Sequence, residues 1–281
     1  MKIVTFERHH CLEAGLVRED YVLPLDRLGF SSVRSFLCAG EEALHAVKTF
    51  SWIESDRIPL NGLRLLAPIP RPPKILCIGL NYRDHAREAK MEIPAVPTVF
   101  TKFSTAVVGP GEPITIPPSV EQPDYEAEFA FVIGKKAKNV PRDRWREYIF
   151  GYTMVNDVSA RDIQFATSQW SLSKSLDTFA PIGPWIVTAD EIPEPGALDI
   201  RLSIGAEVLQ RSNTRELIFG VPELVEYLSG LITLEPGDIV STGTPAGVGM
   251  GRNPPRWLRA GDEVVIEIDG IGELRNPVAF E

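Results

Sequence analysis

Short apolar runs bounded by glycine, proline and turn residues recur along the whole chain, and most read as strands. Lys2–Phe6 and Tyr21–Leu25 come first. Glu41–Phe50 then places Ala43, Leu44, Val47 and Phe50 at helical spacing. Ala67–Pro73 carries Pro68, Pro70, Pro72 and Pro73. Each lacks an N–H and has a fixed φ, so the segment reads as a linker with a domain boundary near residue 68. Beyond it, Lys74–Ile78 is a buried strand that stops at Gly79, and Asn81 is placed to cap a helix over Tyr82–Met91. Strand patterns follow at Thr98–Phe103, Ile114–Ile116, Glu126–Ile133, Phe150–Asp157, Trp185–Thr188, Asp199–Ile204, Asp238–Thr242, Glu263–Ile268 and Glu273–Val278. Pro222–Leu231 reads as a helix with proline at its start, where it is tolerated.

Helices do not alternate with strands in this order, which argues against a Rossmann or (β/α)8 pattern. The expectation is an α+β, β-rich fold: a small N-terminal α+β domain over 1–68 and a β-roll or sandwich with peripheral helices over 69–281.

Composition narrows the function classes. A net charge of −9 and the lack of any Lys/Arg-rich run argue against nucleic acid or an anionic membrane as partner. No apolar stretch is long enough to span a bilayer. Met1–Glu7 lacks the apolar core of a secretory signal, so the expected location is the cytoplasm. Cys11, Cys38 and Cys77 have no metal or redox spacing and are expected to be buried thiols.

Against this background the acids of Asp124-Tyr125-Glu126-Ala127-Glu128 stand out. Strand alternation puts Glu126 and Glu128 on one face, in line with Ala130 and Val132. Asp157 ends a second apolar run. Three carboxylates without nearby His or Cys are hard oxygen ligands that suit Mg2+, Mn2+ or Ca2+. The competing reading is the solvated face of an edge strand. On the Tyr82–Met91 helix, three-residue spacing aligns Tyr82, His85 and Glu88, an arrangement that suits an acid–base dyad or a common surface pair. Arg161 and Gln164 lie one helical turn apart and could grip a carboxylate, or belong to a surface cluster. Lys174 sits among small and apolar residues, placed either to stabilise an oxyanion or to snorkel to the surface. Ser241–Gly249 is a Gly-rich loop without a P-loop ending; its amides and the Thr244 hydroxyl could bind a carboxylate.

Several of these segments, taken in order, resemble the fumarylacetoacetate hydrolase family, most closely its domain-containing protein 2 branch. They are Pro73–His85, Asp124–Glu128, Asn156–Asp162, Lys174–Thr178 and Thr242–Gly249, with the late Asn253-Pro254-Pro255 and Gly261–Val264 stretches. The resemblance implies a mixed β-roll catalytic domain and a homodimer. It implies Mg2+ or Mn2+ on Glu126, Glu128 and Asp157. It assigns His85 and Glu88 to a lid helix as a dyad and Lys174 to the pocket, and gives Tyr82, Arg161, Gln164 and Thr244 substrate contacts. The namesake enzyme has an additional metal-binding Asp upstream of the E-x-E strand. Thr101–Gly109 contains no acid, which argues against fumarylacetoacetate as substrate.

The activity expected from this set is metal-dependent cleavage of the C3–C4 bond of a small 2-oxo acid with a second carbonyl or carboxyl group, through a pyruvate enolate. The same enolate also serves an oxaloacetate keto–enol tautomerase or related isomerase. A non-catalytic metal and dicarboxylate binder is a third reading.

Overall fold

The computed structural model describes residues 1–281 as a mixed α+β fold dominated by strands. Its largest sheet has twelve strands. Two of them form the centre: Ala127–Ile133 and Ile149–Asn156 pair antiparallel from Ala127↔Asn156 to Ile133↔Ile149. Every residue of Ala127–Ile133 is buried, as its nearly unbroken apolar sequence predicts for a strand covered on both faces. Phe129, Phe131 and Ile133 face one core, and Ala130 and Val132 the other. From this centre the sheet runs outward through Ile239–Ser241 and Ile75–Gly79 to Thr98–Lys102 at one edge. In the other direction it passes through Ala180–Thr188 into Lys2–Arg8, Cys11–Arg18 and Tyr21–Pro24.

A five-stranded sheet of Glu207–Asn213, Asp199–Ile204, Glu263–Ile268, Gly272–Phe280 and Ile114–Ile116 covers one face. Ile200, Leu202, Ile266 and Leu274 from it share a core with Phe129, Phe131 and Tyr152, as do Leu224, Val225 and Leu228 of the Val221–Leu231 helix. The opposite face is covered by the Val33–Ala39 and Glu41–Thr49 helices, which bury Phe36, Leu37, Ala43 and Val47 against it.

The boundary expected near residue 68 does not separate two cores. Lys2–Arg8 pairs with Ala180–Thr188, and Ile3, Leu16 and Phe36 pack with Val132, Val155 and Ile182. Nor is the proline run a loose linker: Ala67, Pro68 and Ile69 are buried, and Pro68 O accepts a bond from the Thr5 hydroxyl. Cys77 is buried as expected, whereas Cys11 and Cys38 are exposed. Asn81 does not cap the helix that follows it. Tyr82 occupies the cap position of Arg83–Ala89, and the Asn81 amide donates to Phe219 O and Thr242 O. Among the longer strands and α-helices, Cys11–Arg18, Val33–Ala39 and Glu207–Asn213 were not among those expected. The last buries Gln210 where a strand pattern wants an apolar residue.

If the first 68 residues share the main core, Phe36→Ala destabilises the whole chain by about 3–5 kcal/mol. Thermal unfolding followed by near-ultraviolet circular dichroism and by intrinsic fluorescence should then show one shifted transition. A separate early transition at unchanged main midpoint would contradict the shared core.

Candidate metal centre and active site

The sheet opens where its two central strands begin to diverge from their neighbours. Ile239–Ser241 pairs with Ala130–Val132, but beyond Ser241 the ladder ends. The Ala127 backbone is satisfied by side chains instead: Gln210 Oε1 accepts from its N–H, and the Thr244 hydroxyl donates to its carbonyl. Gly243 turns the chain there with φ +98°, and a Cβ would come within 2.8 Å of Ile78 O. A side chain is therefore excluded, and the Gly243 N–H is free to donate to Glu128 Oε2 at 3.0 Å.

Glu126, Glu128 and Asp157 meet in this opening, with one ligand oxygen from each lying within 4.8 Å of the others. All three are buried, so the solvated-edge reading of the E-x-E pair does not hold. Their neighbours are cationic. Lys174 Nζ donates to Glu126 Oε2 and to Asp157 Oδ2, both at 2.7 Å. Lys102 Nζ donates to Asp157 Oδ1 at 2.6 Å. Arg161 divides its donors among Asp124 (2.9 Å), Gln164 (2.8 Å) and Glu126. Asp124 in turn accepts from the Gly249 and Met250 N–H groups, which ties the Gly-rich loop to Arg161.

Burial alone would raise the Glu126 carboxyl; the Lys174 and Arg161 charges outweigh it and hold the group well below the usual carboxylate range. Lys174 is moved the other way. Burial opposes its charge, but Asp157 and Glu126 raise it above an ordinary lysine. Glu128 has no such partner. It is held by the Ser241 hydroxyl and the Gly243 N–H, and burial, followed by the charges of Asp157 and Glu126, pushes it well above the usual range.

The donor set fits a divalent cation on this ground. Four buried carboxylates (Asp124, Glu126, Glu128, Asp157) face three buried cations (Lys102, Arg161, Lys174), and one carboxylate is left without a counter-charge. Oxygen ligands of this kind suit Mg2+ or Mn2+.

The triad forms part of the wall of a cavity of about 150 Å3. His85, Arg161, Gln164, Lys174 and Thr244 line it too. Two predicted residues do not. Glu88 stands behind His85, with Oε2 3.0 Å from His85 Nδ1 and Oε1 accepting from Gly247 N–H at 2.9 Å. Tyr82, expected at the substrate, is fully buried outside the cavity lining, and its hydroxyl lacks a partner. Three-residue spacing gave it the right helix face, but as the cap residue with extended backbone it leaves that face. The Thr244 hydroxyl is already engaged by Ala127 O and Gln210 Nε2, so a ligand would meet it as a hydrogen-bonded group.

The remaining lining escaped the sequence reading. Lys102 and Asp124 complete the charge cluster, and Phe100, Trp170 and Met250 line the cavity. A signal existed for Lys102: it shares the buried strand face of Phe100, two residues before it, where an unpaired lysine is costly.

A raised folded-state carboxyl costs stability increasingly as pH climbs above its unfolded value near 4.3. Glu128→Gln should remove that cost. Cation-free protein should gain about 0.5–2 kcal/mol at neutral pH, the size of other stabilising changes at strained sites. Saturating Mn2+ should raise the melting temperature of the wild type and leave that of Glu128→Gln unmoved. Thermal unfolding against pH, with and without Mn2+, checks both; an equal Mn2+ response in the two proteins would exclude Glu128 as a ligand.

Comparison with known proteins bears on this geometry. The family description "Fumarylacetoacetate (FAA) hydrolase C-terminal" matches residues 74–279. The chain is 45% identical over 248 residues to the protein named oxaloacetate tautomerase fahd2, mitochondrial, of Xenopus laevis, covering 88% of this chain and 78% of that one. It is 44% identical over 274 residues to the fumarylacetoacetate hydrolase domain-containing protein 2 homolog of Dictyostelium discoideum, covering 94% and 88%. Among solved structures, maleylpyruvate hydrolase from Sphingobium sp. SYK-6, in complex with manganese(II) ion and pyruvate, superposes with a TM-score of 0.82 at 30% identity over 100% of this chain and 99% of that one. No helix here is long and apolar enough to cross a membrane. The Xenopus relative is named as mitochondrial, and the expected cytoplasmic location gains no support from it. With the family pattern matched across most of its length and its strand-rich fold shared with a solved member, the chain belongs to the fumarylacetoacetate hydrolase family.

Proposed function

We propose that this chain is a keto–enol tautomerase of oxaloacetate-type 2-oxo acids that works with a bound Mg2+ or Mn2+. The observation that carries the reading is a buried acidic triad in the same cavity as His85, whose Nδ1 is held by Glu88. The name of the 45% identical relative favours tautomerisation over the C3–C4 cleavage expected at first. Bound at Glu126, Glu128 and Asp157, the cation would supply Lewis-acid stabilisation to the 2-oxo oxygen as it gains enolate character.

The protein's own residues account for the rest. Glu88 Oε2 fixes the imidazole with its proton on Nδ1, which leaves Nε2 as the base. Gly247 N–H holds the other Glu88 oxygen, so the dyad keeps its orientation. His85 Nε2 takes the proton from C3 and returns it to the enol oxygen, or the reverse. The Lys174 ammonium adds positive charge beside the triad. Arg161 has donors left beyond its three partners, and with Gln164 it would receive a substrate carboxylate.

Tautomerisation moves one proton and needs no water. Hydrolysis needs a water aimed at a distal carbonyl and held by several polar groups. Much of the cavity wall that is not engaged with the triad is apolar, which favours proton transfer.

A homodimer belongs to the same reading. Thr98–Lys102 ends the main sheet, and Val99 and the adjacent Phe103 are exposed there, an apolar edge that a second copy would cover. Sedimentation velocity on the wild type should give a dimer of the 31.1 kDa chain.

The activity is read by ultraviolet absorbance of enol-oxaloacetate in Mg2+, with released pyruvate measured separately. The expected result is loss of enol absorbance without matching pyruvate. His85→Ala should lower kcat by about 10²–10⁴ while leaving Mn2+ affinity unchanged by calorimetry. Stoichiometric pyruvate would instead establish a decarboxylase, and an undiminished His85→Ala would remove the dyad from the mechanism.

A further inference from the structure

The cavity is lined by two chemically different sets of side chains. One carries the triad, Arg161, Gln164, Lys174 and His85. The other is formed by Leu80, Met91, Phe100, Phe165, Trp170 and Met250. No Lys or Arg lines the cavity except Arg161 and Lys174, and both are already turned to the acids. Away from the Lys174 ammonium at Phe100, a substrate group lying along the apolar residues meets no cation.

The apolar set is held in place. Trp170 packs edge-on against Phe100, with ring centroids 5.7 Å apart and planes at 73°. A Cβ on Gly79 would come within 2.5 Å of the Trp170 ring, so the indole lies directly over a position kept bare of side chain. The Lys174 ammonium also holds Phe100, 5.0 Å from its ring centroid. Towards solvent the set ends in Phe165, 65% exposed, and Met91, 55% exposed. Large apolar side chains left open at the rim of a cavity mark a surface that a ligand covers. Met91 and Met250, which line the same cavity as these rings, are soft side chains that suit a flat aromatic partner.

We infer that the site accepts 2-oxo acids bearing an aromatic ring on C3, and that arylpyruvates are tautomerised here. The inference rests on the proposed tautomerase reading and names a substrate class for it. The 2-oxo acid head faces the acidic triad, as for oxaloacetate, and the ring lies against Trp170, Phe165 and Met250. The C3–H bond breaks to His85 Nε2, the C2–C3 double bond forms, and the same proton closes the O–H bond at the former 2-oxo oxygen. Nothing is oxidised or reduced, and no co-reactant enters.

The test separates ring recognition from catalysis. Benzoylformate is a 2-oxo acid with a ring and no C3 hydrogen, and glyoxylate is the same head group without the ring. Calorimetry on the Mn2+-loaded full chain should show benzoylformate binding at least about tenfold tighter than glyoxylate, the range in which an apolar pocket discriminates. Trp170→Ala should erase most of that ratio. Phe165→Ser, a change at an exposed position that leaves the core intact, should reduce it in the same direction if Trp170→Ala fails to fold. Stopped-flow absorbance should show conversion of enol-phenylpyruvate as well as enol-oxaloacetate. Equal binding of benzoylformate and glyoxylate, with oxaloacetate still converted, overturns the inference and leaves the tautomerase reading standing. Conversion of oxaloacetate but not of phenylpyruvate overturns the arylpyruvate activity whatever the binding. A ring preference lost in the variants, with neither enol converted, overturns the tautomerase reading and keeps the aromatic subsite.

Discussion

Carboxylates buried at the end of a sheet must be neutralised before the strands around them can close. Here the two central strands bring Glu126, Glu128 and Asp157 together, and Asp124 lies just upstream. The counter-charges come from three separate places: Lys102 at an edge strand, Arg161 after the second central strand, and Lys174 in a loop. Removing one partner of a buried ion pair costs about 3–5 kcal/mol. Net stabilities of folded domains are about 5–15 kcal/mol. The cluster therefore has enough leverage to fix the loops that carry its members, and the cavity inherits its shape from that electrostatic requirement. Packing alone would not do this, because the Ser171–Ser175 region and the Gly-rich loop contribute mostly small or polar residues to the site.

The same requirement explains why the site keeps one carboxylate unmatched. A fully neutral cluster would be more stable without a cation and would bind one less well. Glu128, satisfied only by a hydroxyl and a backbone N–H, leaves the site short of positive charge. On the proposed reading, stability given up at Glu128 would serve affinity for a divalent ion, the usual trade at a functional site.

Most of the strands were legible because this sheet is covered on both faces, which makes its strands continuous apolar runs. The acids were legible for the opposite reason: Glu126 and Glu128 interrupt such a run at alternate positions. What the sequence did not carry was partnership. Periodicity says that Lys2–Phe6 is a strand, but not that it pairs with Ala180–Thr188, and so the first 68 residues looked like a separate unit. Proline composition marks Ala67–Pro73 as irregular backbone, which it is, yet irregular backbone can be buried when its carbonyls are satisfied, as at Pro68. Lys102 read as an ordinary polar residue because its significance lies in a long-range pair with Asp157, and Asp124, though within the acidic segment that stood out, gave no sign of its pair with Arg161. Tyr82 was misplaced by applying helical spacing one residue beyond the helix. The cavity's apolar wall is assembled from distant segments, with Leu80, Phe100, Trp170 and Met250 far apart in the chain, and no local motif announces it.

The chemistry follows from which groups are shared and which are not. Enolate formation is common to cleavage, decarboxylation and tautomerisation, and on the proposed reading the triad with its lysine would serve all three equally. The outcome is set by what stands beyond C3. His85 can reach either a C3 proton or a water, but a water needs further polar partners to be held in line for attack. In this cavity the polar side chains are drawn towards the acids, and Thr244 is occupied by Ala127 O and Gln210. Leu80, Phe100, Trp170 and Met250, which also line the cavity, offer a water almost nothing. On the proposed reading, a base that faces apolar side chains returns its proton to the substrate. On the same reading the apolar residues bear on the reaction as well as on the substituent, and a single polar replacement among them is the change that would give a hydrolytic water its missing partner.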